Sequence, residues 1–233
     1  MSRSMFSIKG LSSGYGQSQV IHDLNFEIGD QEIVAIMGRN GMGKTTLFRT
    51  LMGILPTFRG DVAVDGAEMT KLETHQRVAQ GLAYVPQGRM IFSHMTVLEN
   101  IQTGLPPSAR GIVPEELYAL FPVLFDMRNR KGGNLSGGQQ QQLAIARALA
   151  ANPKVLLLDE PTEGIQPSII KDIAKSLKEI RDLRKLTIVV SEQVLSFTLS
   201  IADRFFVIDK GRFVYEDVRS NVDERTISQY LSI

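Results

Sequence analysis

The sequence contains no cysteine among its 233 residues, which excludes disulfide bonds, zinc–thiolate sites and thiol nucleophiles. Neither sign of charge is in excess, because 26 Lys and Arg stand against 25 Asp and Glu, for a formal net charge of +1. A chain whose main partner is nucleic acid or anionic lipid usually carries a clear positive excess. The composition therefore favours neither partner.

Long apolar runs are also absent. No stretch approaches the about 18 uninterrupted apolar residues of a membrane-spanning helix. The opening MSRSMFSIKG has one Arg and lacks the apolar core of a signal peptide. We therefore expect no transmembrane helix and no signal peptide, so that any work at a membrane is done from outside the bilayer through a partner.

The order of apolar and polar residues indicates strands that alternate with helices. After a mainly helical segment, the apolar KVLLLDE predicts a buried strand of a parallel sheet, and RFFVIDKGRFVYE predicts a hairpin that turns at Lys210-Gly211. Together these features predict an α/β fold interrupted by a helical insertion. In the first third, short apolar stretches predict strands at 6–8, 24–28, 32–37 and 62–64, the last followed by a turn at Asp65-Gly66.

A glycine-rich motif follows the predicted strand 32–37. Gly38-x4-Gly43-Lys44-Thr45 stands between an apolar strand and a helical pattern, the context of a phosphate-binding loop. Gly38, Gly41 and Gly43 permit backbone N–H groups to face phosphate oxygens, and the helix adds the positive end of its dipole. Lys44 would reach the β- and γ-phosphates and Thr45 would hold Mg²⁺. The alternative is a strand-to-helix turn without a ligand.

Two acidic residues end the strand in KVLLLDE. Asp159 would lie beside the phosphate loop and bind Mg²⁺ through water, and Glu160 would polarise an attacking water. An Asp-Glu pair after a strand is otherwise more typical of a helix cap or a solvated turn. The phosphate loop reverses that preference.

A capping box opens the Gln- and Ala-rich helix, with Ser136 as N-cap and Gln139 as its reciprocal partner. Gly137 and Gly138 in the first turn cost about 1 kcal/mol each relative to Ala. They are explained if another group approaches the backbone closely, such as a phosphate at the helix N-terminus. The alternative is simply a well-capped helix.

These motifs, in this order, resemble the signature set of the ATP-binding-cassette (ABC) ATPases: GRNGMGKTT (38–46), Gln87, LSGGQ (135–139) and LLLDEP (156–161). The resemblance covers essentially the whole chain. It implies one cassette domain over 1–233, with a RecA-like core and an antiparallel β part at about 1–87 and 153–233 and a helical lobe at about 88–152. Two cassettes would pair head to tail.

The resemblance also implies roles for individual residues. ATP and Mg²⁺ are the implied ligands, with Tyr15 stacked on adenine beside Val20; a surface turn aromatic is the alternative for Tyr15. Gln87 would contact Mg²⁺ and the attacking water, and 89–95 would form a groove for a partner's short helix, unless those side chains are core. The implied sets are: for ATP, Tyr15, Val20, Gly38, Arg39, Asn40, Gly41, Met42, Gly43, Lys44, Thr45, Thr46 and Gln87; for the partner's ATP, Leu135, Ser136, Gly137, Gly138 and Gln139; for the metal, Thr45, Gln87 and Asp159; for catalysis, Lys44, Glu160 and Gln193.

In IVVSEQVLSF we expect the apolar strand to end where Ser191, Glu192 and Gln193 begin. By resemblance Gln193 takes the place of the family's switch histidine. A glutamine amide can donate a hydrogen bond to the γ-phosphate but cannot take up a proton, so the duty of general base falls on Glu160. Gln166 stands where most cassettes have an aspartate, which leaves that residue's signalling role in doubt.

VPQGRMIFSHMTVLENI and DEPTEGIQPSIIKDI resemble the ATPases of branched-chain amino acid importers, and other segments resemble the urea and short-chain amide subgroup. This implies a peripheral subunit on the cytoplasmic face of the membrane, partnered by permease subunits, by a sister cassette or second copy, and indirectly by an extracytoplasmic solute-binding protein. The alternative is a soluble cassette acting on nucleic acid or ribosomes. Paired phosphate loops, heptad runs and zinc cysteines of such proteins are missing here, so no nucleic-acid partner is expected. A GTP-binding switch would carry Asn-Lys-x-Asp, which the sequence lacks.

Overall fold

A computed structural model describes residues 4–231. The strands are β1 (Ser4–Tyr15), β2 (Ser18–Gly29), β3 (Ile33–Met37), β4 (Thr57–Val64), β5 (Ala67–Glu68), β6 (Leu82–Val85), β7 (Val155–Asp159), β8 (Thr187–Glu192), β9 (Arg204–Asp209) and β10 (Arg212–Val218). The helices are α1 (Lys44–Leu51), α2 (Thr74–Ala79), α3 (Val97–Gln102), α4 (Glu115–Leu120), α5 (Pro122–Asp126), α6 (Gly137–Ala150), α7 (Pro167–Arg184), α8 (Leu195–Ile201) and α9 (Glu224–Leu231). Short 3₁₀ turns lie at Pro107–Ala109 and Gly132–Asn134.

Two sheets organise the described chain. The first is antiparallel with strand order β2-β1-β4-β5, and the second has order β10-β9-β3-β8-β7-β6. In the second sheet β9, β3, β8, β7 and β6 pair in parallel, and β10 adds an antiparallel edge. The predicted α/β class is therefore confirmed.

The six-stranded sheet is covered on both faces, which explains why its central strands are apolar throughout. Side chains alternate along β3, so that Val34 and Ile36 pack with α1 and the antiparallel sheet while Ala35 and Met37 pack with α6, α7 and α8. Each face thus has its own buried cluster. Because β3, β7 and β8 are parallel neighbours, their carboxyl ends lie at the same end of the sheet. The predicted phosphate loop follows β3 there, and the predicted acidic residues stand at the end of β7.

Both predicted glycine turns are present, since Val64 pairs with Ala67 across Asp65-Gly66 and Asp209 pairs with Arg212 across Lys210-Gly211. The strands of the first third are longer than the sequence pattern predicts. The helical run after Pro114 is divided into α4 and α5, because Pro122 disfavours helical backbone at the residue before it and Phe121 has φ −133° and ψ 71°.

One strand end was predicted wrongly. Ser191 and Glu192 belong to β8 and are buried, and only Gln193 lies beyond it. The polar residues continue the ladder because their side chains find buried hydrogen-bond partners, described below. Among residues 4–231 no helix has the length and apolar character needed to cross a membrane.

Candidate nucleotide-binding and hydrolysis site

The predicted phosphate loop connects β3 to α1. Gly41 and Gly43 adopt positive φ values of 81° and 111°, which glycine tolerates without the penalty of a side chain. An added Cβ at Gly38 would stand 2.5 Å from the carbonyl oxygen of Ile208, so the loop leaves its strand tightly against β9. The first N–H groups of α1 have no partner within the helix and carry the positive end of its dipole.

A cavity of about 290 Å³ lies at this helix end. Its lining combines loop backbone with hydroxyl, amide, ammonium and carboxylate groups, which suit a phosphate chain and a hard cation. The lining residues are Asn40, Gly41, Gly43, Lys44, Thr45, Thr46, Gln87 and Glu160.

Lys44 is 4% exposed, and its ammonium group has three oxygen neighbours. Nζ donates to the carbonyl oxygens of Gly38 at 2.7 Å and Arg39 at 3.1 Å, and it lies 3.1 Å from Glu160 Oε1. Three partners match the three donors of an ammonium group. The loop thus holds a buried cation at the cavity wall, within reach of an anionic ligand.

Glu160 has φ 47°, which is unusual for a residue other than glycine. Such backbone costs on the order of 1–3 kcal/mol and clusters at functional sites. Its N–H donates to the carbonyl oxygen of Ser191 at 3.0 Å, which fixes the turn. Its carboxylate accepts from Gln87 Nε2 at 3.2 Å as well as contacting Lys44. The turn therefore directs Glu160 into the cavity.

Asp159 takes a different direction and is 1% exposed. Ser191 Oγ donates to its Oδ1 at 2.5 Å and Tyr84 Oη donates to its Oδ2 at 3.1 Å. Burial, together with the nearby Asp159 carboxylate, raises the pKa of Tyr84 well above its usual value, so the phenol remains a donor. Asp159 does not line the cavity. Sequence reasoning missed both Tyr84 and Ser191.

Gln87 joins the two carboxylates that follow β7. Its Nε2 donates to Glu160 Oε2 at 3.2 Å and to Glu163 Oε2 at 3.1 Å. With the amide nitrogen so occupied, its carbonyl oxygen is the group that can bind a cation. Arg89 Nη2 donates to the carbonyl oxygen of Glu163 at 3.0 Å, so the loop after β6 is tied to the loop after β7.

Gln193 lies next to the phosphate loop, as the resemblance implies. Its Nε2 donates to Asn40 Oδ1 at 2.9 Å and contacts Glu160 Oε1 at 3.4 Å. The first contact is a good hydrogen bond and the second is weak. One amide therefore connects the phosphate loop to the acidic residue after β7.

Glu192 is a buried residue of this region to which the sequence analysis gave no role. It is 2% exposed, and both of its carboxylate oxygens accept hydrogen bonds from Thr162, Gln193 and Val194. The only sequence signal was its position between Ser191 and Gln193 at the expected end of the strand. A charged side chain in a polar run normally indicates solvent, which is why the pattern gave no warning.

Tyr15 and Val20 lie on the β1–β2 hairpin, and neither lines the cavity. Tyr15 is 45% exposed, while Val20 packs partly against the core cluster around α1. Adenine stacking on Tyr15 stays a prediction.

The predicted capping box at the start of α6 is present. Gln139 N donates to Ser136 Oγ at 3.3 Å, and Ser136 N donates to Gln139 Oε1 at 3.0 Å. An added Cβ at Gly138 would lie 2.6 Å from Cγ2 of Ile169, so α7 of the same chain makes the close approach there. Residues 135–139 do not line the 290 Å³ cavity. The N-terminus of α6 therefore lies outside the cavity that is formed at the N-terminus of α1.

A second surface feature, which we call the lobe groove, has a volume of about 670 Å³. Met90 and Phe92 from the predicted 89–95 segment line it and are 62% and 49% exposed, whereas Ile91 packs against the core. The lining residues outside the 89–95 segment were not predicted from the sequence. The groove is lined by Arg49, Met52, Ile54, Thr74, Val78, Ala83, Tyr84, Pro86, Met90, Phe92, Thr103, Gly104, Arg147, Ala148 and Ala151.

Comparison with known proteins gives a consistent answer. The ABC transporter family matches residues 21–163. The chain is 37% identical to BraG, a high-affinity branched-chain amino acid transport ATP-binding protein of Pseudomonas aeruginosa, over 91% of this chain and 92% of BraG. It is 33% identical to LptB, a lipopolysaccharide export system ATP-binding protein of Haemophilus influenzae, over 98% and 97% of the two chains.

The fold comparison agrees. The ADP conformation of MJ1267, an ATP-binding cassette of an ABC transporter, matches with a TM-score of 0.84 and 25% identity over 99% of both chains. The family match includes the phosphate loop and the acidic end of β7, and the matched relatives and solved structure span more than nine tenths of the chain. The chain therefore belongs to the ABC transporter ATPases.

Proposed function

We propose that this chain is the ATP-hydrolysing subunit of an importer for urea, short-chain amides or branched-chain amino acids, bound peripherally to the cytoplasmic face of the membrane. The observation that carries the hydrolytic part is the convergence of Lys44, Gln87 and Glu160 on one cavity at the start of α1. We treat 1–233 as one cassette, with a core at about 1–87 and 153–233 and a helical lobe at about 88–152. The described α3 to α6 all fall within that lobe.

The residues present fit Mg²⁺. Thr45 and Gln87 offer a hydroxyl and an amide oxygen at the cavity, and the Asp159 carboxylate is oriented by Ser191 and Tyr84. These are oxygen ligands of the kind Mg²⁺ prefers, and it usually completes its shell with phosphates and water. Within residues 4–231 no cluster of three His, Cys, Asp or Glu side chains could hold a metal. When bound, Mg²⁺ neutralises charge on the β- and γ-phosphate oxygens.

In the mechanism we propose, a γ-phosphate competes with Glu160 for the Lys44 ammonium group. Glu160 Oε1 is then released to orient the attacking water and accept its proton, while Lys44 and the loop amides stabilise the charge that develops on the phosphoryl group. Gln193 donates a hydrogen bond to the γ-phosphate. Because a glutamine amide does not titrate near neutral pH, we assign the base to Glu160, whose carboxylate lines the cavity.

A second cassette completes the site in this proposal. Ser136 and the N–H groups at the start of α6 would approach the ATP bound by the other cassette, which explains why residues 135–139 are absent from this chain's own cavity. Tyr15 and Val20 would face the adenine and Gly38 to Thr46 the phosphates. The second cassette is either a sister chain or another copy.

The lobe groove is the proposed docking site for a permease. Its exposed Met90, Phe92 and Ile54 offer adaptable apolar contacts for a short amphipathic helix. Tyr84 lines this groove and donates to Asp159, so one side chain touches both the docking surface and the acidic strand end. The partner's position can thereby influence the nucleotide site.

The direction of transport and the solute belong to the proposal. Similarity to BraG, whose name gives branched-chain amino acid transport, supports an amino acid as the solute. Similarity to LptB makes export of a lipid the second candidate, because that match spans 98% of the chain.

Uptake of labelled urea, short amides and branched-chain amino acids should be measured in cells that lack this chain and are complemented with the wild type or with Glu160→Gln. Restored uptake of one solute class by the wild type alone supports the importer. Detergent-solubilised membranes provide a second test, in which this chain should recover a permease. Recovery of ribosomes, DNA or lipopolysaccharide-handling proteins in its place would contradict import.

Gln193 has its own test. Gln193→Ala should lose most ATP hydrolysis, because no donor remains at that position, whereas Gln193→His restores a donor and should keep some. An Ala variant with wild-type turnover would show that Gln193 only ends its strand.

A further inference from the structure

Glu192 carries a carboxylate into the interior at the end of β8. Its Oε1 accepts from Thr162 N at 3.0 Å and from Thr162 Oγ1 at 2.5 Å. Its Oε2 accepts from Gln193 N at 2.8 Å and from Val194 N at 3.1 Å. None of these four donors is a cationic side chain, so hydrogen bonds to neutral groups solvate the carboxylate.

Burying a carboxylate is unfavourable unless donors replace the lost water, and here each oxygen has two. A neutral or apolar residue at this strand position would avoid that desolvation. The side chain alternation of β8 points Glu192 to the same face as Val190, toward the α6–α8 side of the sheet. The four donors come from two separate segments, and only an acceptor with two oxygens satisfies both.

Those two segments carry the proposed catalytic groups. Thr162 lies two residues after Glu160, and Gln193 directly follows Glu192. Glu160 and Gln193 meet across the cavity edge, where the Gln193 amide contacts both Asn40 and Glu160. The hydrogen bonds of the Glu192 carboxylate therefore fix the position of the loop after β7 relative to the loop after β8.

We propose that Glu192 is a positioning residue for ATP hydrolysis: it clamps the loop after β7 to the loop after β8 and so sets Gln193 and Glu160 in register over the phosphate loop. This inference rests on the proposed roles of those two residues and adds the element that aligns them. Glu192 does not contact the cavity itself.

Substitutions of Glu192 and of Thr162 test the acceptor and one of its donors separately. Glu192→Gln keeps the size but places an amide NH₂ against either Thr162 or the N–H groups of Gln193 and Val194, so one side loses its acceptor. Thr162→Val removes the Oγ1 donor and keeps the backbone donor. Thr162→Ser keeps both and is the conservative control.

Steady-state ATP hydrolysis by the full chain should show a fall in kcat of roughly 10- to 100-fold for Glu192→Gln, since misplacement by about 1 Å costs on the order of 10²-fold. KM for ATP should stay within about twofold, because the phosphate loop is untouched. Thr162→Val should lower kcat less than Glu192→Gln does, and Thr162→Ser should keep the wild-type kcat.

The double variant Glu192→Gln/Gln193→Ala should hydrolyse ATP about as slowly as Gln193→Ala alone, because both changes remove the same alignment. Multiplicative losses, or a fall in kcat that follows a fall in Tm, would assign Glu192 a structural role and overturn the proposal. If the Glu192→Gln variant does not fold, an unchanged kcat in the Thr162→Val variant overturns the proposal. A wild type that binds ATP without hydrolysing it would overturn the proposed function too, whereas wild-type turnover by Glu192→Gln overturns this inference alone.

Discussion

Arg77 offers a quantitative test of how the phosphate-loop helix is held. It lies in α2, is 2% exposed, and its guanidinium donates to four backbone carbonyl oxygens. Nη1 donates to the carbonyl oxygens of Thr50 at 3.0 Å and Leu51 at 2.7 Å in the last turn of α1, and the Thr50 oxygen also accepts from Gly53 N at 2.9 Å. The other donors reach the carbonyl oxygens of Leu72 at 2.9 Å and Thr70 at 2.9 Å.

Arg77→Met keeps the length of the side chain but removes every donor. The Thr50 carbonyl keeps the N–H of Gly53; if water rehydrates one of the other three, two remain unsatisfied at about 1–2 kcal/mol each, and the lost charge at the helix C-terminus adds about 0.5–1 kcal/mol. We therefore expect the free energy of unfolding to fall by about 3–5 kcal/mol, a large part of the roughly 5–15 kcal/mol of a typical domain. Burial lowers the pKa of Arg77, because the buried guanidinium has lost its water. Removing this desolvated charge offsets part of the expected loss of stability.

Urea unfolding followed by circular dichroism measures this change, with Arg59→Met as the control at an exposed arginine, where an effect within about 0.5 kcal/mol is expected. A chain of this size should also lose roughly 10 °C in Tm. A loss below about 1 kcal/mol at Arg77 would refute the reasoning. It would mean that the four carbonyls find other partners or that the desolvation of the guanidinium already cancels their contribution.

Three further predictions follow from single contacts. Glu160→Gln should lower ATP turnover by roughly 10²- to 10⁴-fold and accumulate an ATP-bound dimer in size-exclusion chromatography; rapid turnover would exclude Glu160 as the base. Tyr84→Phe removes the donor to the buried Asp159 Oδ2 and should lower kcat about 3- to 10-fold and the free energy of unfolding by about 1–2 kcal/mol, whereas an unchanged kcat in the permease complex would contradict a link through this bond. Gly211→Ala would place Cβ 1.7 Å from the carbonyl oxygen of Val20 at φ 73°, so chemical denaturation should show a loss of at least about 2 kcal/mol, against about 1 kcal/mol for the open Gly16→Ala, and equal losses would refute the clash.

Features with local causes were predictable from the sequence. The capping box of Ser136 and Gln139, the turn at Lys210-Gly211 and the fully buried β7 each depend on a few neighbouring residues. Backbone conformation and burial pattern at such places follow from residue type and spacing.

Features that depend on partners distant in sequence were not predictable. We expected the strand to end before Ser191 and Glu192, yet both continue β8 and are buried because Asp159 and Thr162 supply their partners. Gly138 indicated a close approach to the backbone, and the side chain that makes one, Ile169, belongs to α7 of the same chain.

The sequence by itself determined the α/β class, the phosphate loop at Gly38 to Thr45 and the family of the chain, because these are written in contiguous motifs. The tertiary structure alone decided how those motifs are joined. Parallel pairing sets Asp159 beside Ser191 and Met37 beside Glu192, so residues more than 30 positions apart share hydrogen bonds at one sheet edge. Strand order creates those contacts, and no local pattern encodes which strands will be neighbours.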